Sequence, residues 1–167
     1  GSKELLYLIQ LACQDSNSFF PSPAWVSYPA HMSILEKDGK IVPTSYMDSW
    51  KLTTRNVKPV LKDKTGLSIL ILNTPNNPTG LVYSEQELAN LAKLFEANNT
   101  TVIADEIYEH MQFDNEFCSI AKVLPSQTII SSGFSKSMGC GGWRIGYAIF
   151  PPEMADGRRA VTALASE

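Results

Sequence analysis

Apolar residues recur at two different spacings along this chain. In segment 1–13 they repeat at helical spacing, which predicts a helix that is buried around much of its circumference or along a wide stripe. Later, short apolar stretches predict buried strands. These predicted strands cover 67–72, 100–104, 127–132 and 146–150.

The segments between these runs predict further elements. The run "SFFPSPAW" is typical of a strand entering a turn, and "WVSYPAHMSILEKDG" of a short helix ending by Gly39. "KIVPTSY" predicts an edge strand, because Pro43 cannot donate to a central ladder. Ser84 and Glu87 form a capping box for a helix over 84–99, and 152–167 predicts a last helix.

Strands that alternate with helices indicate an α/β fold. We therefore expect a single domain over 1–167, built as a three-layer αβα sandwich with a mostly parallel central sheet. The length of 167 residues and the 44% hydrophobic content are sufficient for one buried core.

Charge and cysteine content exclude several classes of function. The net charge of −3 and the lack of a Lys/Arg run give no reason to expect nucleic acid or an anionic membrane as partner. No apolar run approaches the ~20 residues of a membrane helix, and no signal peptide is visible. Cys13, Cys118 and Cys140 are too few and too scattered for a disulfide framework, which favours a cytoplasmic location. Glu106 and His110 alone do not make a metal site, so none is predicted.

The candidate chemistry follows the strands. Segments 73–80 ("NTPNNPTG"), 105–108 ("DEIY") and 133–144 ("GFSKSMGCGGWR") each come directly after an apolar run. Each has an ordinary reading, as a tight turn, a helix cap or a glycine-rich loop. However, the carboxyl ends of parallel strands meet at one edge of a sheet, where ligands bind. This edge should gather Asn77, Asp105, Tyr108, Lys136 and Arg144.

These segments resemble a known family. "NNPTG", "DEIY" and "SKSMGCGGWRIGY" are similar to the signature segments of fold-type I pyridoxal 5'-phosphate (PLP) enzymes, in the aminotransferases of class I and II. The spacing of 28 residues from Asn77 to Asp105 and of eight from Lys136 to Arg144 also fits. The resemblance implies that 1–167 is the central part of the large PLP-binding domain. An N-terminal arm and a C-terminal small domain would then be absent from this chain.

The resemblance implies a role for each residue. Lys136 matches the lysine that forms a Schiff base with PLP and then moves the substrate proton. Asp105 matches the carboxylate that keeps the pyridine nitrogen protonated. Asn77 and Tyr108 match the donors to the ring's phenolate oxygen, and Arg144 matches the guanidinium that grips the phosphate.

Further cofactor contacts are implied nearer the start of the chain. Trp25 matches the aromatic residue that stacks on the pyridine ring, and a core tryptophan is the alternative. Ser2 and Lys3 match the loop and helix start that cradle the phosphate. Gly1 and Ser2 are also what a cleaved expression tag leaves behind, although Lys3 and the apolar helix that follows favour native residues.

One position departs from the family pattern. A hydroxyl often lies three residues before the Schiff-base lysine, and here that position is Gly133. We therefore expect Ser132 or Ser135 to supply the phosphate contact instead.

The implied activity is transfer of an amino group between an amino acid and a 2-oxo acid. A PLP-dependent lyase, of the C–S lyase or aminocyclopropane carboxylate synthase type, shares the same signatures and is the alternative. A non-catalytic PLP-fold sensing domain is a third hypothesis. The full-length protein would be a homodimer, and the isolated segment 1–167 would be inactive because it lacks the arginine for the substrate carboxylate. No GxGxxG turn follows a strand, which argues against a dehydrogenase.

Overall fold

A six-stranded sheet forms the centre of the molecule in the computed structural model, which describes residues 1–37, 39–62, 66–113 and 116–166. The strand order is β2-β1-β3-β4-β5-β6, and all neighbours are parallel except the antiparallel pair β5 and β6. The strands are β1 (Asn17–Ser22), β2 (Lys40–Pro43), β3 (Ser68–Asn73), β4 (Thr100–Asp105), β5 (Thr128–Gly133) and β6 (Gly146–Ile149).

Helices cover both faces of the sheet. They are α1 (Ser2–Ala12), α2 (Ser27–Ile34), α3 (Thr54–Leu61), α4 (Glu85–Ala97), α5 (Phe134–Ser137) and α6 (Ala155–Leu164). Helices α1, α2 and α6 bury apolar side chains with one face, and α3 and α4 with the other. This arrangement confirms the predicted three-layer αβα sandwich with a mostly parallel sheet. None of the helices in the described ranges combines the length and the apolar character needed to span a bilayer.

Alternation along the buried strands divides the core into two layers. In β4, Ile103 packs with α1 and α2, whereas Val102 and Ala104 pack with α3 and α4. Successive side chains of a strand point to opposite faces, so both faces of these strands must be apolar. Both layers are buried in this way, which explains why the central strands β3 and β4 appear in the sequence as mainly apolar stretches.

Both edges of the described sheet follow from local chemistry. Strand β2 lies at one edge, as Pro43 predicts, and β6 lies at the other. Gly133 and Gly146 pair across β5 and β6. A Cβ at Gly133 would lie 2.8 Å from the Ile145 carbonyl oxygen, and one at Gly146 would collide with the backbone nitrogen of Ser2. Gly146 therefore lets the start of α1 pack directly on β6, and Gly133 lets β5 lie close to the backbone at the start of β6.

Helix α3 is the longer of the two helices, α3 and α5, that the hydrophobic pattern did not predict. It buries only Val57 and Leu61, and Pro59 lies inside it, so its apolar signal is weak. Its start is marked instead by capping: Thr53 accepts from the Asn56 backbone N–H, and the Asn56 side chain accepts from the Thr53 N–H. The predicted capping box of α4, Ser84 with Glu87, is present.

Candidate functional site

A pocket of about 260 Å³ lies at the carboxyl ends of β3, β4 and β5. Side chains from α1, from the turn before α2 and from the three strand ends meet there. All nine residues predicted from the sequence line this pocket: Ser2, Lys3, Trp25, Asn77, Asp105, Tyr108, Ser135, Lys136 and Arg144. The fold therefore brings together residues that are up to 142 positions apart in the chain.

Asn73, the last residue of β3, organises the turn that carries Asn77. Its side-chain amide donates to the backbone oxygen of Asp105 at 2.9 Å, and its Oδ1 accepts from the Asn77 backbone N–H at 2.7 Å. The Thr74 backbone N–H also donates to the Asp105 carbonyl oxygen, at 3.2 Å. The ends of β3 and β4 are thus tied together, which fixes Asn77 beside Asp105.

Two neighbouring carboxyl groups leave β4 on opposite faces. Asp105 continues the face of Ile103, and Glu106 continues the face of Ala104. Asp105 lines the pocket and accepts from the Tyr28 hydroxyl at 2.6 Å. Glu106 points away and accepts from the Ser119 hydroxyl at 2.5 Å. Alternation alone therefore assigns only one of the two to the pocket.

Burial controls the protonation of both carboxyl groups. Desolvation raises the pKa of Asp105 to about 6, and the hydrogen bonds from Tyr28 and from the Ile107 backbone oppose this rise. Desolvation likewise raises the pKa of Glu106 to about 7, opposed by the bond from Ser119 and helped by the nearby Glu109. Both groups would be stabilised in the charged form by a cation, and only Asp105 faces a pocket where one could bind.

Lys136 lies on the short helix α5, directly after β5. Its Nζ is 5.7 Å from the centroid of the Tyr108 ring. Ser135 also lines the pocket, whereas Ser132 is buried on the other side and contacts the Glu109 carboxylate at 3.2 Å. Of the two serines considered for a phosphate contact, the structure therefore places Ser135 in the pocket and Ser132 outside its lining.

Arg144 reaches the pocket from a constrained backbone. Its φ of 55° is left-handed, which is uncommon for a non-glycine residue. Its Nη1 donates to the Gly141 carbonyl oxygen at 2.7 Å. A Cβ at Gly1 would lie 3.1 Å from the Arg144 Nη2, so the absence of a side chain at that position leaves room beside the guanidinium.

Trp25 lies between a cation and a second aromatic ring. The Lys3 Nζ is 5.0 Å from the centroid of its ring, and the Tyr28 ring meets it edge-on with centroids 5.6 Å apart. Trp25 is half-buried, so it is packed into the pocket wall without being enclosed in the core.

The charges of the pocket are arranged by depth. Lys3, Lys136 and Arg144 are exposed at its rim, and Asp105 is buried at its floor. Within the described ranges, none of these four groups forms an ion pair. The rim therefore suits an anionic group and the floor suits a cationic one. A single ligand that fills the pocket would carry both groups.

Two lining residues with polar side chains, Tyr28 and Asn73, were not predicted from the sequence. Tyr28 is three residues after Trp25, at the first turn of α2, so a helical spacing could have indicated it. Asn73 directly follows the apolar run that predicted β3, and a polar residue at the end of a buried strand was the available signal.

The sequence matches a family model described as aminotransferase class I and II, over residues 1–165. Among curated proteins, it is 37% identical to an aspartate aminotransferase of Bacillus sp. (strain YM-2), over 99% of this chain and 43% of that protein. It is 35% identical to a probable aspartate/prephenate aminotransferase of Aquifex aeolicus, over 93% of this chain and 40% of that protein. The chain thus spans less than half the length of these relatives.

Solved structures have the same fold. An aspartate aminotransferase from Thermus thermophilus with maleate superimposes with a TM-score of 0.91 at 32% identity, over 99% of this chain and 43% of that one. An aromatic aminotransferase from Pyrococcus horikoshii superimposes with a TM-score of 0.88 at 30% identity, over 100% of this chain and 45% of that one. The whole described fold is therefore similar to part of these enzymes.

Proposed function

We propose, on the premise that this chain belongs to the aminotransferase class I and II family, that the whole protein is a PLP-dependent aminotransferase. The observation that carries the proposal is the pocket in which eight residues from five parts of the chain line the space around the buried carboxyl group of Asp105. The activity is proposed for the full-length protein, because the relatives are more than twice as long as this chain.

The donor set of the pocket fits PLP. The cofactor carries a phosphate, for which Arg144, Ser135 and the start of α1 with Ser2 offer donors at the rim. It also carries a pyridine nitrogen that is cationic when protonated, for which the buried Asp105 is the matching partner. When bound, PLP supplies a ring that accepts the electron pair released at the substrate Cα.

The residues of this chain then divide the work. Lys136 holds the cofactor through its side-chain amine and afterwards moves the proton at the substrate Cα. Asp105 keeps a proton on the ring nitrogen, and Tyr108 and Asn77 donate hydrogen bonds to the phenolate oxygen. Trp25 supports the ring face and helps to exclude water from it. The roles rest on the shared pocket and on the chemistry of each group.

The substrate we propose is aspartate or a similar amino acid, with a 2-oxo acid as acceptor. The support is that the matched relatives are named aspartate aminotransferases. We also propose that the full-length protein is a cytoplasmic homodimer, which the family resemblance implies. Size-exclusion chromatography with light scattering tests the oligomeric state.

The decisive experiment is addition of PLP to full-length protein, with Lys136→Ala as the variant. We expect wild type to develop a visible absorption band that the variant lacks, since the band needs the lysine amine. Lys93→Ala, an exposed position on α4 in the opposite layer, is the matched control and should keep the band. Lack of a Lys136-dependent band in wild type would refute the proposed function.

A substrate panel separates transfer from elimination. With PLP and aspartate alone, an aminotransferase should form at most one oxo-acid product per PLP-loaded site, and it should turn over repeatedly only when a 2-oxo acid acceptor is present. A lyase would release ammonia or a cleaved side chain without any acceptor, and a sensing domain would bind without turnover. Product analysis with and without acceptor therefore distinguishes the three hypotheses.

A further inference from the structure

Tyr28 makes the shortest hydrogen bond to the carboxyl group at the pocket floor. Its side chain is 1% exposed, and its hydroxyl donates to the Asp105 Oδ2 at 2.6 Å. Among the described residues, the other oxygen, Oδ1, accepts only a long bond of 3.4 Å, from the Ile107 backbone N–H. Tyr28 is therefore the strong polar partner that the described protein offers to this carboxyl group.

Tyr28 is also held firmly in place. Its ring lies in the core layer with Leu6 and Ile9 of α1 and with Met32, one turn further along α2. Its edge meets Trp25 at a centroid distance of 5.6 Å. A tyrosine has only two rotatable side-chain bonds before its hydroxyl, so a packed ring fixes the donor at small entropic cost.

The hydrogen bond opposes the effect of burial on Asp105. Burial disfavours the charged carboxylate, and a hydroxyl donor favours it, because the donor interacts more strongly with a charged oxygen. The Tyr28 bond is the largest effect that lowers the pKa of Asp105. The bond also selects an orientation, since it occupies one of the two carboxylate oxygens.

We propose that Tyr28 is a positioning residue, whose hydroxyl holds Asp105 charged and in one orientation at the pocket floor, where the ring nitrogen of PLP would bind. The proposal rests on the proposed function for its link to PLP, and on the contacts of Tyr28 for the link to Asp105. Tyr28 acts through Asp105 and is not itself assigned a step in the reaction.

Other charged and titratable groups around Asp105 must be considered in any titration. Lys3 on α1, Lys136 on α5 and Arg144 before β6 line the same pocket, as does Tyr108 on the turn after β4. Glu106 is adjacent in the chain but lies on the other face. All of them are unchanged by a substitution at Tyr28, so a comparison with wild type isolates the effect of its hydroxyl.

The test is a titration of Asp105 in full-length, cofactor-free protein by carbon-13 NMR of the aspartate carboxyl groups. In Tyr28→Phe, we expect the midpoint of Asp105 to rise by about one pH unit, the equivalent of one hydrogen bond. Tyr83→Phe is the matched control, since Tyr83 is also buried and its hydroxyl accepts from the Leu52 N–H in the opposite layer. It should leave Asp105 unchanged.

A second substitution keeps the ring and its donor. Site-specific 3,5-difluorotyrosine at position 28 has a more acidic hydroxyl, so it should lower the Asp105 midpoint. An unchanged midpoint in both Tyr28 variants would overturn the proposal, and opposite shifts in the two would support it. If Tyr28→Phe folds poorly, the difluorotyrosine variant decides alone: a lowered Asp105 midpoint supports the proposal, and an unchanged midpoint overturns it.

PLP affinity gives the link to the cofactor. As the pH falls, Tyr28→Phe should lose PLP at a higher pH than wild type, since its Asp105 is protonated earlier. Equal pH profiles would overturn this link. Failure of wild type to bind PLP at any pH would instead refute the proposed function, and the NMR titration would still report on the contact between Tyr28 and Asp105.

Discussion

Asp105 and Glu106 are neighbours in the chain, both are buried, and burial raises the pKa of both. They nevertheless belong to different regions. Asp105 lies on the face of the sheet covered by α1 and α2 and opens into the pocket. Glu106 lies on the face covered by α3 and α4, where Ser119 covers it.

This difference shows that burial of an acidic side chain does not by itself identify a functional group. Glu106 has the higher pKa of the two, yet its partner is the Ser119 hydroxyl, which lies on the connection between β4 and β5. Its contacts explain it as an anchor for that connection. Asp105 is distinguished by access to a pocket with three cationic side chains at its rim.

The largest expected effect tests this division on activity. In the full-length protein, Asp105→Asn should lower kcat/KM for amino transfer by about 100- to 1,000-fold, because the neutral amide cannot stabilise a cationic ring nitrogen. Glu106→Gln should change it by less than about threefold, since it removes a charge on the other face. Steady-state kinetics with aspartate measure both. Similar losses of kcat/KM in the two variants would refute the division between a functional Asp105 and a structural Glu106.

A smaller effect tests Glu106 through the pH dependence of stability. The folded protein raises the pKa of Glu106 from 4.5 to about 7, so the folded state binds this proton more tightly than the unfolded state. The contribution of Glu106 to stability is therefore greatest at low pH and is lost as the pH rises to about 7.

In Glu106→Gln, the fall in unfolding free energy between pH 5 and pH 7 should be smaller than in wild type by on the order of 2 kcal/mol. Urea denaturation at pH 5, 6 and 7 measures it. Asp105→Asn is the control. Because the pKa of Asp105 is raised only to about 6, the unfolding free energy of this variant should change with pH differently from wild type mainly below about pH 6. Parallel profiles for Glu106→Gln and wild type would contradict the assignment.

The smallest expected effect concerns only the face of the sheet that α3 and α4 cover. Tyr83→Phe removes the acceptor of the Leu52 N–H, a bond of 2.8 Å between buried groups. We expect a loss of about 1 kcal/mol in unfolding free energy and unchanged kcat/KM. Thermal denaturation and steady-state kinetics check the two halves of this expectation. A marked loss of activity would mean that the two faces are coupled.

Much of the fold could be predicted from the sequence because burial leaves a direct trace in it. Strand β3 is buried on both faces and appears as an apolar run, and β4 and β5 each contain a shorter one. Helix α4 carries its cap in Ser84 and Glu87. Helix α3 left a weaker trace, since it buries only two residues and contains Pro59. Its stability comes from capping and from packing on the neighbouring elements.

Most of the candidate site was also predictable, because parallel strands place their following loops at one edge. Asn77, Asp105 and Lys136 each follow an apolar run, and that position is visible in the sequence. Tyr28 is different, since its hydroxyl meets a carboxylate 77 residues away. Its spacing of three residues from Trp25 is the one local signal, and that spacing does not reveal the hydrogen bond to Asp105.

By itself, the sequence determined the alternation of strands and helices and the residue types that could bind an anion and a cation. Those features depend on neighbours in the chain, through burial, capping and turn chemistry. Only the tertiary structure shows that Asp105 faces the pocket and accepts from Tyr28, whereas Glu106 faces away and accepts from Ser119. Such contacts join distant segments, and their distance and direction are set by packing of the whole fold.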